Sequence, residues 1–371
     1  MVSILHVIDT GGPGGAETVF LNCSTRLNPN KFASTAIVGS DNWLARRLRE
    51  NGLEPIIVPA QGSFNFRYLL RVASIARKTN ADIIAAHLYG SSVYASAVGR
   101  ICSIPVVSVF HGANDIDPGS RFNSMKASIV RNGSTRVVFV SQNLRDELTA
   151  TLRIPSSRSL VIPNGVDTTA FKPGRDDSIR KVLRLPPDGI LVGSVGNVRA
   201  PKAYDNLLRA ARILKDRSDR FYFAIAGECR GALADSLLRL RNELKLDGCV
   251  SFIGLRDDIP TVLHNLDIFV LSSKSEGFSI SCVEAMACGI PVVATRCGGP
   301  QEILDKCSGI LVAPESPGEL ADAIHRVALT PELGTRIARV AQKRVHDQFS
   351  LTTMLSRYAV MYEDIMREGG R

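Results

Sequence analysis

In Ser273-Lys274-Ser275-Glu276-Gly277-Phe278-Ser279-Ile280-Ser281-Cys282-Val283-Glu284-Ala285-Met286-Ala287-Cys288-Gly289-Ile290-Pro291-Val292-Val293-Ala294-Thr295 the hydrophobic period changes twice. The run before it, 268–271, is apolar, as a buried strand requires. A loop carrying Glu276 follows, and from about Phe278 the apolar residues return at helical spacing as far as Gly289. Glycine ends a helix readily because the left-handed conformation costs it nothing. Pro291 then hands the chain to a second buried run, 292–295. Strand, helix and strand in so short a span form a βαβ unit, which joins parallel strands. The predicted class is α/β.

The same alternation extends in both directions. In the first half, strands are predicted near 4–8, 34–38, 83–87, 106–110, 137–140 and 160–162, with helical segments such as 17–26 and 68–78 between them. A second series restarts with strands at 190–195, 222–226, 250–253, 268–271, 292–295 and 310–312. Between the series lies Ile162-Pro163-Asn164-Gly165-Val166-Asp167, followed by Phe171-Lys172-Pro173-Gly174, turn chemistry that suits an interdomain connection. The reading is two domains, 1–165 and 166–371. After residue 331 no strand signal remains, and the tail reads as two helices with a break near 348–351. Two open parallel sheets imply a cleft, since ligands gather beyond the carboxyl ends of such strands.

A chain of 371 residues with 45% hydrophobic and 22% charged residues is a globular composition, too long for one core. No run approaches the roughly 18 apolar residues of a membrane span, and the first eight residues lack the basic start of a secretory leader. The eight cysteines never form C-x-x-C and read as reduced thiols of a cytoplasmic protein. Net charge is +9, and residues 1–165 hold most of it, with 17 Lys and Arg against 10 Asp and Glu. The basic residues are scattered, without the aromatic interleaving or helix-turn-helix pattern of nucleic-acid binders, so no nucleic-acid partner is expected. A basic first domain suits an anionic small substrate or the phosphate surface of a membrane.

Two loops carry the chemistry. The first strand runs into Gly11-Gly12-Pro13-Gly14-Gly15-Ala16-Glu17 and then a helix, a junction whose backbone N–H groups face an anion. It is not a Walker A loop, and it fits the dinucleotide fingerprint poorly. In the second loop, a helix starting near Phe278 frees backbone donors at about 278–281, a site for phosphate. Glu284 lies about one and a half turns further on, where a carboxylate can accept two hydrogen bonds from a cis-diol.

These segments together resemble the retaining glycosyltransferases of family 4, also called glycosyl transferases group 1. Glu276 and Glu284 match the family's E-x7-E signature, 162–167 resembles its interdomain string, and Gly196-Asn197-Val198-Arg199-Ala200-Pro201-Lys202 resembles its phosphate-binding loop. The resemblance implies the GT-B fold, two Rossmann-like domains facing each other across a cleft, with the final helix, about 351–368, crossing back to the first domain. It implies that Arg199 and Lys202 hold the diphosphate of a nucleotide-sugar and neutralise the charge growing on it as it leaves. Glu284 would bind the ribose. Glu276 and the backbone of Gly277, Phe278, Ser279 and Ile280 would contact the donor, as would Gly14 and Gly15 from the first domain. His111, in Phe110-His111-Gly112, matches the histidine that touches the donor sugar beside its reactive carbon.

Some positions depart from the family pattern. Asn197 stands where some relatives have Arg, Ala203 where Gly is frequent, and Gly227-Glu228-Cys229 replaces Gly-Glu-Gly. His87, at another strand end, is left as structural or acceptor-facing. Asp115-Ile116-Asp117 resembles a D-x-D metal site, but a spacing this loose arises by chance about once in such a chain, and neither a metal nor a cofactor is assigned. No carboxylate nucleophile can be named, so a front-face route is favoured in which the leaving diphosphate takes the acceptor proton. The partners implied are a nucleotide diphosphate sugar and a sugar or lipid-linked acceptor, in cell-envelope polysaccharide or glycolipid synthesis. Arg67, Arg71, Arg77 and Lys78 near Phe66, Tyr68, Leu69 and Leu70 fit peripheral contact with an anionic membrane, and equally an ordinary amphipathic helix. Two other readings stay open, a non-catalytic nucleotide-sugar-binding protein and an NAD-dependent oxidoreductase.

Overall fold

The aliphatic runs form two separate parallel sheets in the computed structural model, which describes residues 1–60, 65–113, 116, 122–305 and 307–370. Asp115 and Asp117 lie outside the described residues. The first sheet contains β1 (Val2–Ile8), β2 (Phe32–Val38), β3 (Ile56–Ile57), β4 (Ile83–His87), β5 (Val106–Phe110), β6 (Arg136–Phe139) and β7 (Ser159–Val161). Their order is β3-β2-β1-β4-β5-β6-β7, every pair parallel. The second contains β8 (Ile190–Val195), β9 (Phe221–Ala226), β10 (Val250–Gly254), β11 (Ile268–Leu271), β12 (Val292–Thr295) and β13 (Ile310–Val312), in the order β10-β9-β8-β11-β12-β13. Each sheet winds outward in both directions from a switch point, between β1 and β4 in one and between β8 and β11 in the other. This is the doubly wound arrangement of two Rossmann-like halves.

Helices cover both faces, which is why the strands are apolar without alternation. On the first sheet, Leu5, Val7, Ile84 and Ala86 pack against Tyr68, Val72, Ile75 and Ala76 of the helix Phe66–Lys78. Ile8 and Val38 face the other way, toward Phe20 and Leu44. In the second sheet Phe223, Ile225 and Val270 share a core with Leu207, Leu214 and Ile324.

Met1–Asn164 together with Leu351–Arg371 form one compact unit, and Gly165–Ser350 form the other. The tail contains the helices Pro331–Gln348 and Leu351–Glu368. At the break between them the Val166 amide donates to the Phe349 carbonyl at 2.9 Å. The last helix belongs to the first unit, where Tyr362 meets Phe32, Lys31 pairs with Glu363 and Arg136 with Glu368.

Besides shifts of one or two residues at the ends of other elements, three local differences from the sequence reading bear on the fold and the site. β3 is only two residues long, too short to show a period. The first helix begins at Gly15, two residues before the predicted start, because an extended Gly14 serves as its N-cap. The helix after β11 runs over Ile280–Ala287 instead of starting near Phe278, since Phe278 and Ser279 are spent in the loop. No helix among the described residues is long and apolar enough to cross a membrane.

Candidate functional site

In the second unit, the loops that follow β8 and β11 meet at the switch point, the place where a doubly wound sheet accepts a ligand. The Lys274 amide donates to the Pro201 carbonyl (2.7 Å) and the Ser272 hydroxyl to the Lys202 carbonyl (3.0 Å). The β11 loop is fixed on its other side by the segment after β12. There the Glu276 amide donates to Cys297 and the Gly299 amide to Glu276, both at 2.9 Å, and Thr295 Oγ1 donates to the Ser273 carbonyl at 2.6 Å. Gly299 must be glycine, because a Cβ would stand 2.7 Å from both the Gly277 oxygen and the Phe278 Cα.

Lys202 arches over Gly196, where a Cβ would come within 3.0 Å of its Cε. Its ammonium reaches Glu276 Oε1 at 2.8 Å, and the Ser273 hydroxyl donates to the same oxygen at 2.6 Å. Burial works against the ammonium, but the Glu276 carboxylate and Tyr204 outweigh it, and its pKa lies above the ordinary lysine value. Lys202 therefore stays charged. Beyond this pair the backbone turns its donors outward. The amides of Gly277, Phe278, Ser279 and Ile280 have no hydrogen-bond partner among the described residues, and Ser279 caps the helix without a side-chain bond. Four consecutive free N–H groups at the positive end of a helix dipole, beside a lysine, make a cradle for an anion.

The side chain of Phe278 is buried against Phe349, so only its backbone faces the cradle. Glu284 lies on the same helix, partly buried, and its carboxyl has no hydrogen-bond partner among the described residues. Burial raises its carboxyl to about 7. Arg199 is exposed, its carbonyl accepts from the Lys202 amide at 2.9 Å, and the ion pair at Glu276 is made by Lys202.

In the first unit, Gly14 and Gly15 sit at the helix start after β1, and the carboxylate of Glu17 lies over Gly14, so an incoming anion must displace it. His111 follows β5 directly. Its ring turns inward, with Nε2 3.1 Å from Nδ1 of His87 and the two rings stacked. Burial pushes the His111 imidazole down to about 3, so it is neutral at physiological pH and cannot serve as a general acid there.

The chain matches two family models in succession, Glycosyltransferase Family 4 over residues 13–170 and Glycosyl transferases group 1 over residues 175–344. A D-inositol 3-phosphate glycosyltransferase of Frankia alni is 31% identical over 71% of this chain and 69% of its own length. The chain belongs to the family 4 glycosyltransferases. The enzyme of the same name from Actinosynnema mirum is 28% identical, covering 78% of this chain and 74% of the relative. Among solved structures, Anabaena HepE in complex with UDP-glucose superposes with a TM-score of 0.89, at 22% identity, over 98% of this chain and all of that one. The fold is GT-B.

In this glycosyltransferase the departures from the family pattern have local explanations. Ala203 adopts the left-handed conformation, φ +47°, which explains why glycine is the easier residue there, and it carries a strain of about 1 kcal/mol. Gly227 is retained where a Cβ would collide with the Gly196 carbonyl oxygen. Asn197 holds the Glu228 amide through its side-chain oxygen at 2.9 Å, tying the β8 and β9 loops together. Ser273, Thr295 and Gly299 were not singled out in the sequence. Ser273 lies three residues before Glu276, but nothing local says that its hydroxyl turns toward that carboxylate.

The raised Glu284 carboxyl has a measurable consequence. In the unfolded chain it titrates near 4.5, in the folded one near 7. Between those values the folded state holds a proton that the unfolded state has lost, so this group removes stability as pH rises through the window, by about 3 kcal/mol over its whole span. Glu284→Gln abolishes the titration. Urea denaturation at pH 5 and pH 8 should show the variant gaining on the wild type at the higher pH, and parallel pH profiles would refute the assignment.

Proposed function

We propose that this glycosyltransferase moves a sugar from a nucleoside diphosphate sugar to an acceptor hydroxyl with retention at the anomeric carbon and without a metal. The run of four unpartnered amides from Gly277 to Ile280 beside Lys202 carries the reading, because fixed donors aimed at a leaving diphosphate need no reorganisation during reaction. Lys202 and the exposed Arg199 would neutralise the departing diphosphate, Glu276 would take the sugar hydroxyls, and Glu284 the ribose. The UDP-glucose complex of Anabaena HepE supports a UDP donor. Gly14, Gly15 and His111 would contribute from the first unit. The leaving diphosphate would itself accept the acceptor proton.

The acceptor class we infer is a sugar or lipid-linked intermediate of the cell envelope, reached from the cytoplasmic side. Phe66 and Leu70, 66% and 54% exposed one turn apart, with Arg67 and Arg71 exposed beside them, support peripheral contact with an anionic membrane.

Thermal unfolding with UDP, GDP, ADP and NAD at millimolar concentration tests the donor class. A ligand at 100 times its Kd adds about 2.7 kcal/mol of stability. One nucleoside diphosphate should raise Tm, and Glu284→Ala should abolish the rise. A response to NAD alone, or to none of the four, would remove the reading. The anomeric configuration of the product, read by proton NMR, decides retention.

A further inference from the structure

We propose that His87 is a positioning residue for the transfer reaction, holding the His111 ring and the glycine-loop helix in one fixed arrangement. The inference rests on the role proposed above for His111, and it gives a role to a residue that the sequence left as structural or acceptor-facing.

Sheet geometry puts the two histidines together. β4 and β5 pair with His87 opposite Val109, and His111, two residues beyond Val109, points to the same face on the diagonal. The rings stack with centroids 5.3 Å apart and planes 18° from parallel, and His87 Nδ1 lies 3.1 Å from His111 Nε2. On its far side His87 meets Phe20 edge-on at 5.3 Å, and Phe20 in turn meets His6 of β1 at 6.0 Å. Phe20 belongs to the helix Gly15–Thr25, which the glycine loop opens. His87 is thus wedged between the two parts of the first unit assigned to the donor, the glycine loop and His111.

A shared hydrogen bond between two neutral imidazoles couples their tautomers. If His87 donates from Nδ1, His111 must carry its proton on Nδ1, and if His111 donates from Nε2, its Nδ1 is bare. His87 Nε2 and His111 Nδ1 are both buried without a hydrogen-bond partner among the described residues, so neither ring is set from its other end. An apolar wedge would have filled the space beside Phe20 with no orphan nitrogen to bury. The hydrogen bond to His111 is what a histidine adds.

Three variants separate bonding from shape. His87→Phe keeps a ring beside Phe20 and loses the bond, His87→Asn keeps a polar atom where Nδ1 stands, and His87→Gln moves the polar atom toward Nε2. The expected result is a 10- to 100-fold fall in kcat for His87→Phe, with most of the Tm shift by nucleoside diphosphate kept, because Lys202, Glu284 and the amides from Gly277 to Ile280 lie in the second unit. His87→Asn should recover most of the loss and His87→Gln little. Nitrogen-15 spectra of histidine-labelled protein should show a hydrogen-bonded His111 Nε2 from pH 5 to 8 in the wild type, with matching tautomer populations in His87 and His111, the same bonded Nε2 in His87→Asn, and a shifted His111 tautomer ratio without that bond in His87→Phe. Full activity in His87→Phe with an unchanged His111 tautomer overturns the proposal, as does equal loss in folded Phe and Asn variants. If the wild type transfers no sugar, the proposed function fails, while the tautomer spectra still decide whether His87 sets His111. Should His87→Phe fail to fold, the contrast between His87→Asn and His87→Gln decides the question.

Discussion

Lys202→Ala is expected to lower kcat by about 100- to 1000-fold, the usual cost of removing one fixed group that stabilises developing charge. The ammonium is held at 2.8 Å from Glu276 and arches over Gly196, so its charge sits at a fixed point of the loop. Arg199, whose side chain is exposed, should not compensate. The variant also strands Glu276, whose side chain is 11% exposed, and breaking such a pair costs more than the pair contributes. Lys202→Ala should therefore lose stability that Lys202→Ala/Glu276→Ala partly regains. Steady-state kinetics with the donor identified by thermal shift, and urea denaturation of the two variants, check both statements. Turnover within threefold of wild type in Lys202→Ala would remove the electrostatic half of the mechanism.

The largest stability effect should come from ending the chain at Ser350. The last helix buries Leu351, Met354, Tyr358, Met361, Tyr362 and Ile365 at helical spacing. At about 1.5–3 kcal/mol for each buried side chain, an upper estimate, their loss rivals the 5–15 kcal/mol that holds a whole domain together. The truncated chain should lose the cooperative unfolding of the first unit. The second unit should keep its own, since its core of Phe223, Ile225, Leu214 and Ile324 is untouched. Tyr362→Ala is the graded version, expected to cost about 3–5 kcal/mol in the same unit. Calorimetry or limited proteolysis reads the outcome. Two unchanged transitions after truncation would mean that the helix contributes nothing to the first core.

The fold was legible because a βα unit writes its periods locally. Strands 83–87, 106–110, 190–195, 268–271, 292–295 and 310–312 were predicted at the bounds observed, and the break in the tail fell where the helices Pro331–Gln348 and Leu351–Glu368 part. A doubly wound sheet buries both faces of each strand, so its strands stand out as continuous apolar runs between amphipathic helices. β3 stayed hidden because two residues carry no period, and the helix at Ile280 began late because loop backbone bonded to Cys297 and Gly299 occupies the preceding residues.

The sequence by itself determined the α/β class, the two successive sheets, the strings that mark the family and the residue types at the anion cradle. These follow from residue order over a few turns of chain. Only the tertiary structure decided which groups face one another. It paired Lys202 with Glu276 across 74 positions, brought Ser273 onto the same oxygen, and left the amides from Gly277 to Ile280 without partners among the described residues. It also turned the ring of His111 away from the strand end and onto His87, and laid Glu17 over Gly14. Direction and burial of a side chain depend on neighbours brought in by strand register and helix packing, and that information is spread over the whole chain.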